Sequence, residues 1–532
     1  MGKVNIVFKI EKIDKHTQRL LTCAFLVICL FMIFLTGVLN VTSFLETTVI
    51  GTENSVRESV AYSSDSVLLN LLTAAIGAAV LFLIKKSKLK INPAILTGVL
   101  FVWTAVLGIL WVFAVKSSPT QDSFIVTDAA AAAARGEYSN LHEEYFLRFP
   151  FQLGYVLWSE VFIRLLHLEN NFLALEVVNV LCLAATFALL AQTVRLLSDK
   201  ESVFHSTVLL CMTCAPAILF CTFLYGNIPG LLFAVLAVYL IQLFLRRRKW
   251  YFCLAGAVCL GISVSLKMNF MIVLAALAIM LLLDVVCHRK LTSLVCLVLC
   301  AVCCIGIKAG VQASYEMRAD CDFGDGIPMT SWMAMGLSDS ARAPGWYTGK
   351  YTVTNFKENN FDSAAASADS AEVIKERISS FAQDPKRAAS FFYRKFVSQW
   401  NDPTYQSIWT NEVRGFYGGK QARHAVAVWV CEDGKQTVTE VMNACQQIVL
   451  VGVLIAVILC FVRRNETAAL LLLIILGGML YHLLFEAKSQ YSMTYYILML
   501  PLAAWGWDAV LQTAETKISR FLNEKVIKKR KI

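Results

Sequence analysis

The sequence predicts an all-α polytopic membrane protein with about twelve transmembrane helices, an outer interfacial helix and a mixed extracytoplasmic loop domain. Hydrophobic residues make up 57% of the 532 residues and charged residues only 16%, whereas a soluble protein carries about 25% charged residues. The apolar residues are concentrated in blocks of about 20, the length that crosses a bilayer as a helix. This composition excludes a soluble enzyme, a disordered chain and a secreted disulfide scaffold.

Twelve apolar blocks are candidates for membrane-spanning helices. The first follows a basic N-terminus and lacks a clear small-residue cleavage site, so we predict an uncleaved span rather than a signal peptide. The blocks cover residues 20–39, 67–84, 93–115, 172–195, 203–223, 228–245, 251–267, 270–287, 292–310, 447–462, 467–485 and 491–511.

The basic residues predict the orientation of these spans, because Lys and Arg in short loops stay cytoplasmic. If Phe149–Leu166 does not cross, the basic clusters share one side: 3–19, 85–90, 195–200, 246–249, 289–290, 463–464 and 517–531. We therefore predict a multi-pass plasma-membrane protein with cytoplasmic termini and large extracytoplasmic loops, in which Phe149–Leu166 is an interfacial or re-entrant helix. The alternative is that this segment crosses and another block does not. The net charge of +10 is then mainly an orientation signal, and no nucleic-acid partner is expected.

Two long outer loops follow from this topology, at 117–171 and 311–446. The second is long enough for a small folded unit, with helices predicted at 363–381 and 384–400. Asp384 is the expected N-cap of the latter, and Pro385 occupies its first helical position.

Most of the 17 cysteines lie inside the apolar blocks, where cysteine is a small apolar residue. Cys321 and Cys431 differ, because they lie well inside the second outer loop, one near each end. An outer compartment permits a disulfide between them; the alternative is two free thiols.

Ionisable residues at the outer ends of the spans are candidates for chemistry, because such groups near a membrane are costly and are usually paired or functional. Asp128 begins an alanine-rich helix in the first outer loop, where it could equally act as an N-cap. The same loop holds Asp122, His142, Glu143, Glu144 and Arg148, and the last outer loop holds Glu486 and Lys488. Cations there suit a lipid phosphate and a carboxylate suits proton transfer. The alternative for Lys488 is a snorkelling side chain paired with Glu486.

Two short outer connections are further candidates for the wall of a cavity. Tyr225–Gly230 reads first as a tight turn between two spans. Lys267 and Asn269 mark another outer turn. No phosphate-binding loop, dinucleotide fingerprint or HExxH motif is present in the sequence.

Several outer segments, in order, resemble the GT-C superfamily of integral-membrane glycosyltransferases, especially the dolichyl-phosphate-mannose protein mannosyltransferase family (glycosyltransferase family 39). The resemblance covers 93–511, and the first two spans look like an addition to it. The segments that carry it are Asp128, RGEYS at Arg135–Ser139, YFLRFPFQLG at Tyr145–Gly154, IPMTSWMAMGL at Ile327–Leu337, GWYTGKY at Gly345–Tyr351 and FEAKSQYSMTYYILMLP at Phe485–Pro501.

The resemblance implies a domain division and a reaction. The divisions are 1–92 (cytoplasmic segment and two added spans), 93–310 (membrane core with the loop 117–171), 311–446 (extracytoplasmic domain) and 447–532 (last spans and basic tail). The reaction is that of a hexosyltransferase that moves a sugar from a polyprenyl-phosphate donor to a glycan, lipid or protein acceptor outside the membrane. The alternatives are a multi-span transporter or lipid-linked sugar flippase, and a non-catalytic assembly protein.

The resemblance also implies roles for individual residues. Asp128 is the expected catalytic base, with Asp122 as runner-up. Lys488 and Arg148 are expected to bind the donor phosphate, supported by Glu486, Glu143, Glu144 and Tyr491. Aromatic side chains of the large loop are expected to bind the acceptor, and the alternative is that they are ordinary core residues: Trp332, Trp346, Tyr347 and Trp400.

The sequence departs from the family pattern at two points. The family often has an acidic pair where Asp128 is followed here by alanine, which leaves a divalent metal ion as an open cofactor. Its second proline is also replaced, giving Phe149-Pro150-Phe151.

Overall fold

A computed structural model describes residues 14–529, except 54–55, 88–89, 168–171, 414 and 417–418. Parts of two predicted basic clusters, residues 3–13 and 530–531, lie outside the described residues. The first helices are α1 Lys15–Leu45, α2 Val67–Ser87, α3 Pro93–Val115, α4 Asp122–Ala134, α5 Glu144–Arg148, α6 Leu153–Leu166, α7 Phe172–Leu197, α8 Glu201–Met212, α9 Ala215–Leu219, α10 Asn227–Arg247, α11 Trp250–Leu266, α12 Met271–His288 and α13 Leu291–Ala319.

The second half of the chain is also helical. Its helices are α14 Met329–Gly336, α15 Val353–Glu358, α16 Ser363–Gln383, α17 Pro385–Trp400, α18 Ser407–Glu412, α19 Ala425–Cys431, α20 Lys435–Arg463, α21 Ala469–Leu484 and α22 Ser489–Lys529. Short 3-10 turns lie at Ser139–His142, Pro150–Gln152, Phe220–Thr222, Met268–Phe270, Gly349–Tyr351, Lys420–Ala422 and Glu466–Ala468.

Among the described residues, nine helices are long and apolar enough to cross a membrane. They are α1, α2, α3, α7, α10, α13, α20, and α12 and α21 with the 3-10 turns that precede them. A tenth span results if α8 and Ala215–Thr222, bent by 44°, count as one. Every predicted block falls on one of these helices, on the shorter apolar helix α11, or on α22.

The surface of these helices explains why the fold needs a bilayer. Leu68 on α2 and Ile305 on α13 are 69% and 70% exposed, as are many other large apolar side chains on the spans. Such a belt is stable in hydrocarbon, where helices satisfy their own backbone hydrogen bonds. The prediction of an all-α polytopic membrane protein is therefore confirmed, while the count of twelve stays a prediction.

The segment predicted as an interfacial helix forms a 3-10 turn and α6. At 14 residues, α6 is about 21 Å long, shorter than the bilayer core of about 30 Å. Its Glu160 is buried and accepts hydrogen bonds from the Tyr315 hydroxyl (2.5 Å) and the Arg318 guanidinium (3.0 Å) of α13. These contacts fasten α6 beside the end of α13 and agree with a helix that does not cross.

The helices on either side of the predicted loop 311–446 continue into it. α13 and α20 each have 29 residues, about 43 Å of helix, so they extend beyond a bilayer core. Residues 320–434 connect these two helices. The helix predicted at 384–400 is confirmed, because Asp384 accepts a hydrogen bond from the Arg387 amide (3.0 Å) and Pro385 begins α17. The helix predicted at 363–381 is also confirmed as α16.

Two small sheets complete the fold. β1 (Glu46–Glu53) and β2 (Val56–Ser64) form an antiparallel hairpin between the first two spans, with Glu46 opposite Ser64. β3 (Ser117–Ser118) pairs with β4 (Gly415–Phe416) and joins the two outer loops. The sequence analysis did not predict this hairpin, which carries a residue of the site described below.

Candidate functional site

A cavity of about 680 Å³ lies where the connections at one end of the helix bundle meet. This volume is in the range of ordinary ligand pockets. The walls combine aromatic side chains with many charged side chains. Removing these charges from water costs free energy unless they are paired or contact a ligand. The charged lining residues are Glu58, Asp122, Arg148, Lys267, Lys308, Asp325, Arg342, Glu486 and Lys488.

Asp122 is the carboxylate that α4 presents to this cavity. It lies in the first turn of the helix, where the helix dipole favours a negative charge. The adjacent Ser123 hydroxyl donates to the carbonyl oxygen of Leu224 (3.0 Å) and anchors this end of α4. Solvent reaches Asp122 through the cavity, yet the surrounding protein raises its pKa by burial, against the opposing effect of Lys488 and Lys267. A carboxylate with a raised pKa is suited to accept a proton near neutral pH.

Lys267 lies in the connection between α11 and the next span. Its Nζ is 4.5 Å from the ring centroid of Tyr225 and 5.0 Å from that of Tyr491, and such contacts stabilise a desolvated cation. No ion pair within 4 Å joins it to a carboxylate of the described residues. Burial lowers the pKa of Lys267 to about 8, although nearby Glu486 opposes the shift. The ammonium group therefore has capacity for an anionic ligand.

Lys488 lies beside Lys267 but has a counter-ion. Its Nζ is 2.6 Å from Oε1 of Glu58, whose Oε2 is 3.3 Å from Nη1 of Arg342. Burial opposes the charge of Glu58, but Lys488 and then Arg342 outweigh it, so the pKa of that carboxyl is lowered. Burial likewise opposes the charge of Lys488, and Glu58 with Glu486 reverses the effect and raises its pKa. Glu58 and Lys488 thus hold each other in their charged forms.

Glu486 lies in the loop between α21 and α22, two residues before Lys488. The Tyr491 hydroxyl donates to its Oε2 at 3.2 Å. Burial raises the pKa of Glu486, with Lys488 acting in the opposite direction. The predicted pairing of Lys488 with Glu486 is therefore replaced by a direct ion pair with Glu58, which comes from the hairpin.

A buried lysine positions the loop that carries Glu486. Lys395 of α17 is fully buried, and its Nζ donates to the carbonyl oxygens of Phe485 (2.6 Å) and Gly336. On the other side of the loop, the Ser489 hydroxyl donates to the buried carboxylate of Asp402 at 2.7 Å. These contacts tie the loop to the outer helices.

The structure brings seven of the residues predicted for the site to this cavity and leaves others outside. Arg148 lines it, although its guanidinium is also paired with Glu144 at 2.6 Å. Glu144 also lies 3.7 Å from Lys357, and Glu143 is exposed at the start of α5. The residues inside are Asp122, Arg148, Trp332, Tyr347, Glu486, Lys488 and Tyr491.

Asp128 does not line the cavity. It follows Asp122 by six residues on α4, and its Oδ2 accepts a hydrogen bond from the side-chain amide of Asn140 at 2.6 Å. The N-terminal position that the sequence assigned to Asp128 belongs to Asp122, because α4 begins six residues, about 1.7 turns, earlier than expected. Of the two acids predicted as candidates, only Asp122 lines the cavity.

Two of the four predicted aromatic contacts are wrong. Trp346 is fully buried and donates to the Ser398 hydroxyl (2.8 Å), and Trp400 packs in the main hydrophobic core. Trp332 and Tyr347 do line the cavity, beside Phe149. The predicted disulfide is also absent: Cys321 and Cys431 are free thiols that pack in two different apolar clusters.

The residues do not fit a resident divalent metal ion. Within the described part of the chain, no three His, Cys, Asp or Glu side chains are grouped so that they could hold one. Hard cations require several oxygen ligands at once.

Sequence reasoning missed Glu58 and Arg342 altogether and treated Lys267 only as part of an outer turn. Glu58 lies more than 400 residues before Lys488 in the chain, and no local pattern relates the two. A charged residue at the end of an apolar block was the only available signal for Lys267.

A family model described as conserved hypothetical integral membrane protein matches residues 19–511. The chain belongs to this family. The matched residues include the first two spans and the hairpin that carries Glu58, as well as the segments that form the cavity. Neither curated proteins nor solved structures give a match to the chain.

Proposed function

We propose that this protein is a membrane-embedded hexosyltransferase that moves a sugar from a polyprenyl-phosphate donor to an acceptor hydroxyl. The observation that carries the proposal is the meeting of one accessible carboxylate, Asp122, with the cations Lys267 and Lys488 in a single cavity. This set contains a base for the acceptor and a binding site for the phosphate. The GT-C resemblance supports the same reaction.

In the proposed reaction, Lys267 and Lys488 bind the donor phosphate. Asp122 takes the proton of the acceptor hydroxyl, whose oxygen attacks the anomeric carbon. A new carbon–oxygen bond forms as the bond between the anomeric carbon and the phosphate oxygen breaks. The electron pair leaves on the phosphate, which the two ammonium groups stabilise, so no strong general acid is required.

The aromatic side chains that line the cavity suit the sugar and acceptor. Trp332 and Tyr347 line it together with Phe149 and Phe151 of the variant Phe-Pro-Phe element. Flat aromatic faces and a few polar groups are the usual lining of ligand pockets. The acceptor class is a cell-envelope glycan, lipid or protein.

The proposal includes the membrane topology. It places twelve crossings in the plasma membrane, both termini in the cytoplasm, and the cavity with the large loops outside. In transporters the substrate sites lie near the middle of the bilayer, whereas eight of the nine charged residues that line this cavity come from segments between the spans, and only Lys308 lies in a span, α13. This position favours transfer over a flippase or transporter function.

The test uses purified protein in nanodiscs with a radiolabelled polyprenyl-phosphate hexose and candidate acceptors. We expect Asp122→Asn to lower the transfer rate by about 100-fold or more, the usual contribution of a general base. Asp128→Asn is the matched control on the same helix and should transfer sugar like wild type. A transfer rate of Asp122→Asn equal to that of wild type would refute Asp122 as the base. Movement of intact donor across vesicles without transfer would favour the flippase.

A further inference from the structure

Glu58 is an unexpected component of a phosphate site. Only 6% of it is exposed, and it contacts both Lys488 and Arg342. The side-chain amide of Gln406 also donates to its Oε1 at 3.4 Å. A carboxylate held beside the cations of an anion site weakens binding of every anion, so its presence requires a physical reason.

Six of the charged residues that line the cavity interact with one another, and we call them the charge cluster: Glu58, Asp122, Lys267, Arg342, Glu486 and Lys488. They are three cations and three carboxylates, so their formal charges are balanced. Glu58 partly neutralises the charges of Lys488 and Arg342, because one of its carboxylate oxygens faces each of these cations. Without it, the cluster would carry a net positive charge.

This balance affects ligands of different charge unequally. A phosphodiester carries one negative charge, whereas a phosphomonoester carries nearly two above its second pKa of about 6. The repulsion from Glu58 applies to each ligand charge. A dianion is therefore penalised about twice as strongly as a monoanion in the same position.

We propose that Glu58 makes the cavity selective for phosphodiesters over phosphomonoesters. The inference rests on the proposed function, in which the donor is a phosphodiester and the released carrier is a phosphomonoester. Glu58 is then a specificity-determining residue: it lets the donor bind and favours release of the more highly charged product.

The test compares two probes of equal chain length, farnesyl methyl phosphate and farnesyl phosphate. Binding is measured by titration calorimetry at pH 8 with the full-length protein in phosphatidylcholine nanodiscs. The ratio of diester to monoester affinity should be about threefold higher in wild type than in Glu58→Gln. Glu58→Gln should tighten monoester binding by about tenfold and diester binding by about threefold, since the lost repulsion scales with ligand charge.

Matched variants separate charge from folding. Glu58→Asp keeps the charge and should keep the wild-type ratio of affinities, and Glu143→Gln removes an exposed charge outside the cavity and should also keep it. If Glu58→Gln does not fold, Arg342→Gln tests the same balance from the opposite side and should weaken the monoester more than the diester.

The outcomes distinguish this inference from the proposed function. If wild type binds both probes and folded Glu58→Gln leaves their ratio unchanged, Glu58 does not set selectivity and the donor site stands. If Glu58→Gln does not fold and Arg342→Gln is measured instead, an unchanged ratio of affinities again means that Glu58 does not set selectivity. If wild type binds neither probe, both the lipid-phosphate donor and the selectivity are refuted.

Discussion

Gly226 is the position where a single added methyl group should most directly disturb the wall of the cavity. It precedes α10, and a Cβ there would lie 1.8 Å from the carbonyl oxygen of Leu266 and 2.7 Å from its carbonyl carbon. Ordinary contacts of this kind begin near 3.4 Å. Leu266 precedes Lys267, and Tyr225 precedes Gly226, so Gly226→Ala forces apart the two segments that hold Lys267 against the Tyr225 ring.

The size of the effect follows from the atoms involved. Overpacking a well-packed interior typically costs about 1–3 kcal/mol, and here the obstructing atoms are backbone, which cannot change rotamer. The φ of Gly226 is −66°, so alanine brings no backbone strain and the cost is steric. We therefore expect Gly226→Ala to lower the free energy of unfolding by about 3 kcal/mol.

Gly306→Ala is the matched control. Gly306 lies in α13, and an added Cβ there meets nothing within 4 Å. Alanine is a better helix former than glycine by up to about 1 kcal/mol, so this variant should be as stable as wild type or slightly more stable.

Thermal unfolding of the two variants in one detergent, followed by tryptophan fluorescence, measures the difference. Because the shift per kcal/mol falls with chain length, we expect the midpoint of Gly226→Ala to drop by about 3–6 °C. Equal midpoints for Gly226→Ala and Gly306→Ala would refute the close approach of α10 and α11 at the cavity.

Three further predictions concern groups whose environment the structure defines. The affinity of wild type for farnesyl methyl phosphate should fall as pH rises through about 8, because the Lys267 ammonium loses its proton there. Calorimetry should show no such fall in Lys267→Arg. A wild-type affinity that does not change with pH would contradict the role of Lys267. Burial lowers the pKa of Lys395 well below its usual range, so the unfolded chain binds this proton more readily and stability should rise with pH up to about 10.5; Lys395→Met should lose that part of the slope in chemical denaturation, and parallel slopes would argue against a buried amine. An impermeant maleimide should label Cys321 in intact cells without a reductant, and Cys321→Ser should lose the label; a requirement for reductant would restore the disulfide with Cys431.

The sequence alone determined the architecture of this protein. Apolar blocks about 20 residues long predict membrane helices because the hydrophobic effect and backbone hydrogen bonding act along the contiguous chain. Local signals were equally sufficient for α17, where Asp384 and Pro385 mark the start. Four charged residues predicted for the site also line the cavity, since charges at the ends of spans are already confined to one layer: Asp122, Arg148, Glu486 and Lys488.

Tertiary structure decided which of those residues meet. Asp122 and Asp128 lie on one helix, but six residues at 3.6 per turn place them about 120° apart around its axis, and only Asp122 lines the cavity. Trp332 and Trp346 lie in the same segment between α13 and α20, yet Trp346 is buried in the core and Trp332 lines the cavity. Glu58 reaches Lys488 because the hairpin contacts the loop that joins α21 and α22. Electrostatic partners depend on distance through space, and periodicity along the chain carries no information about it.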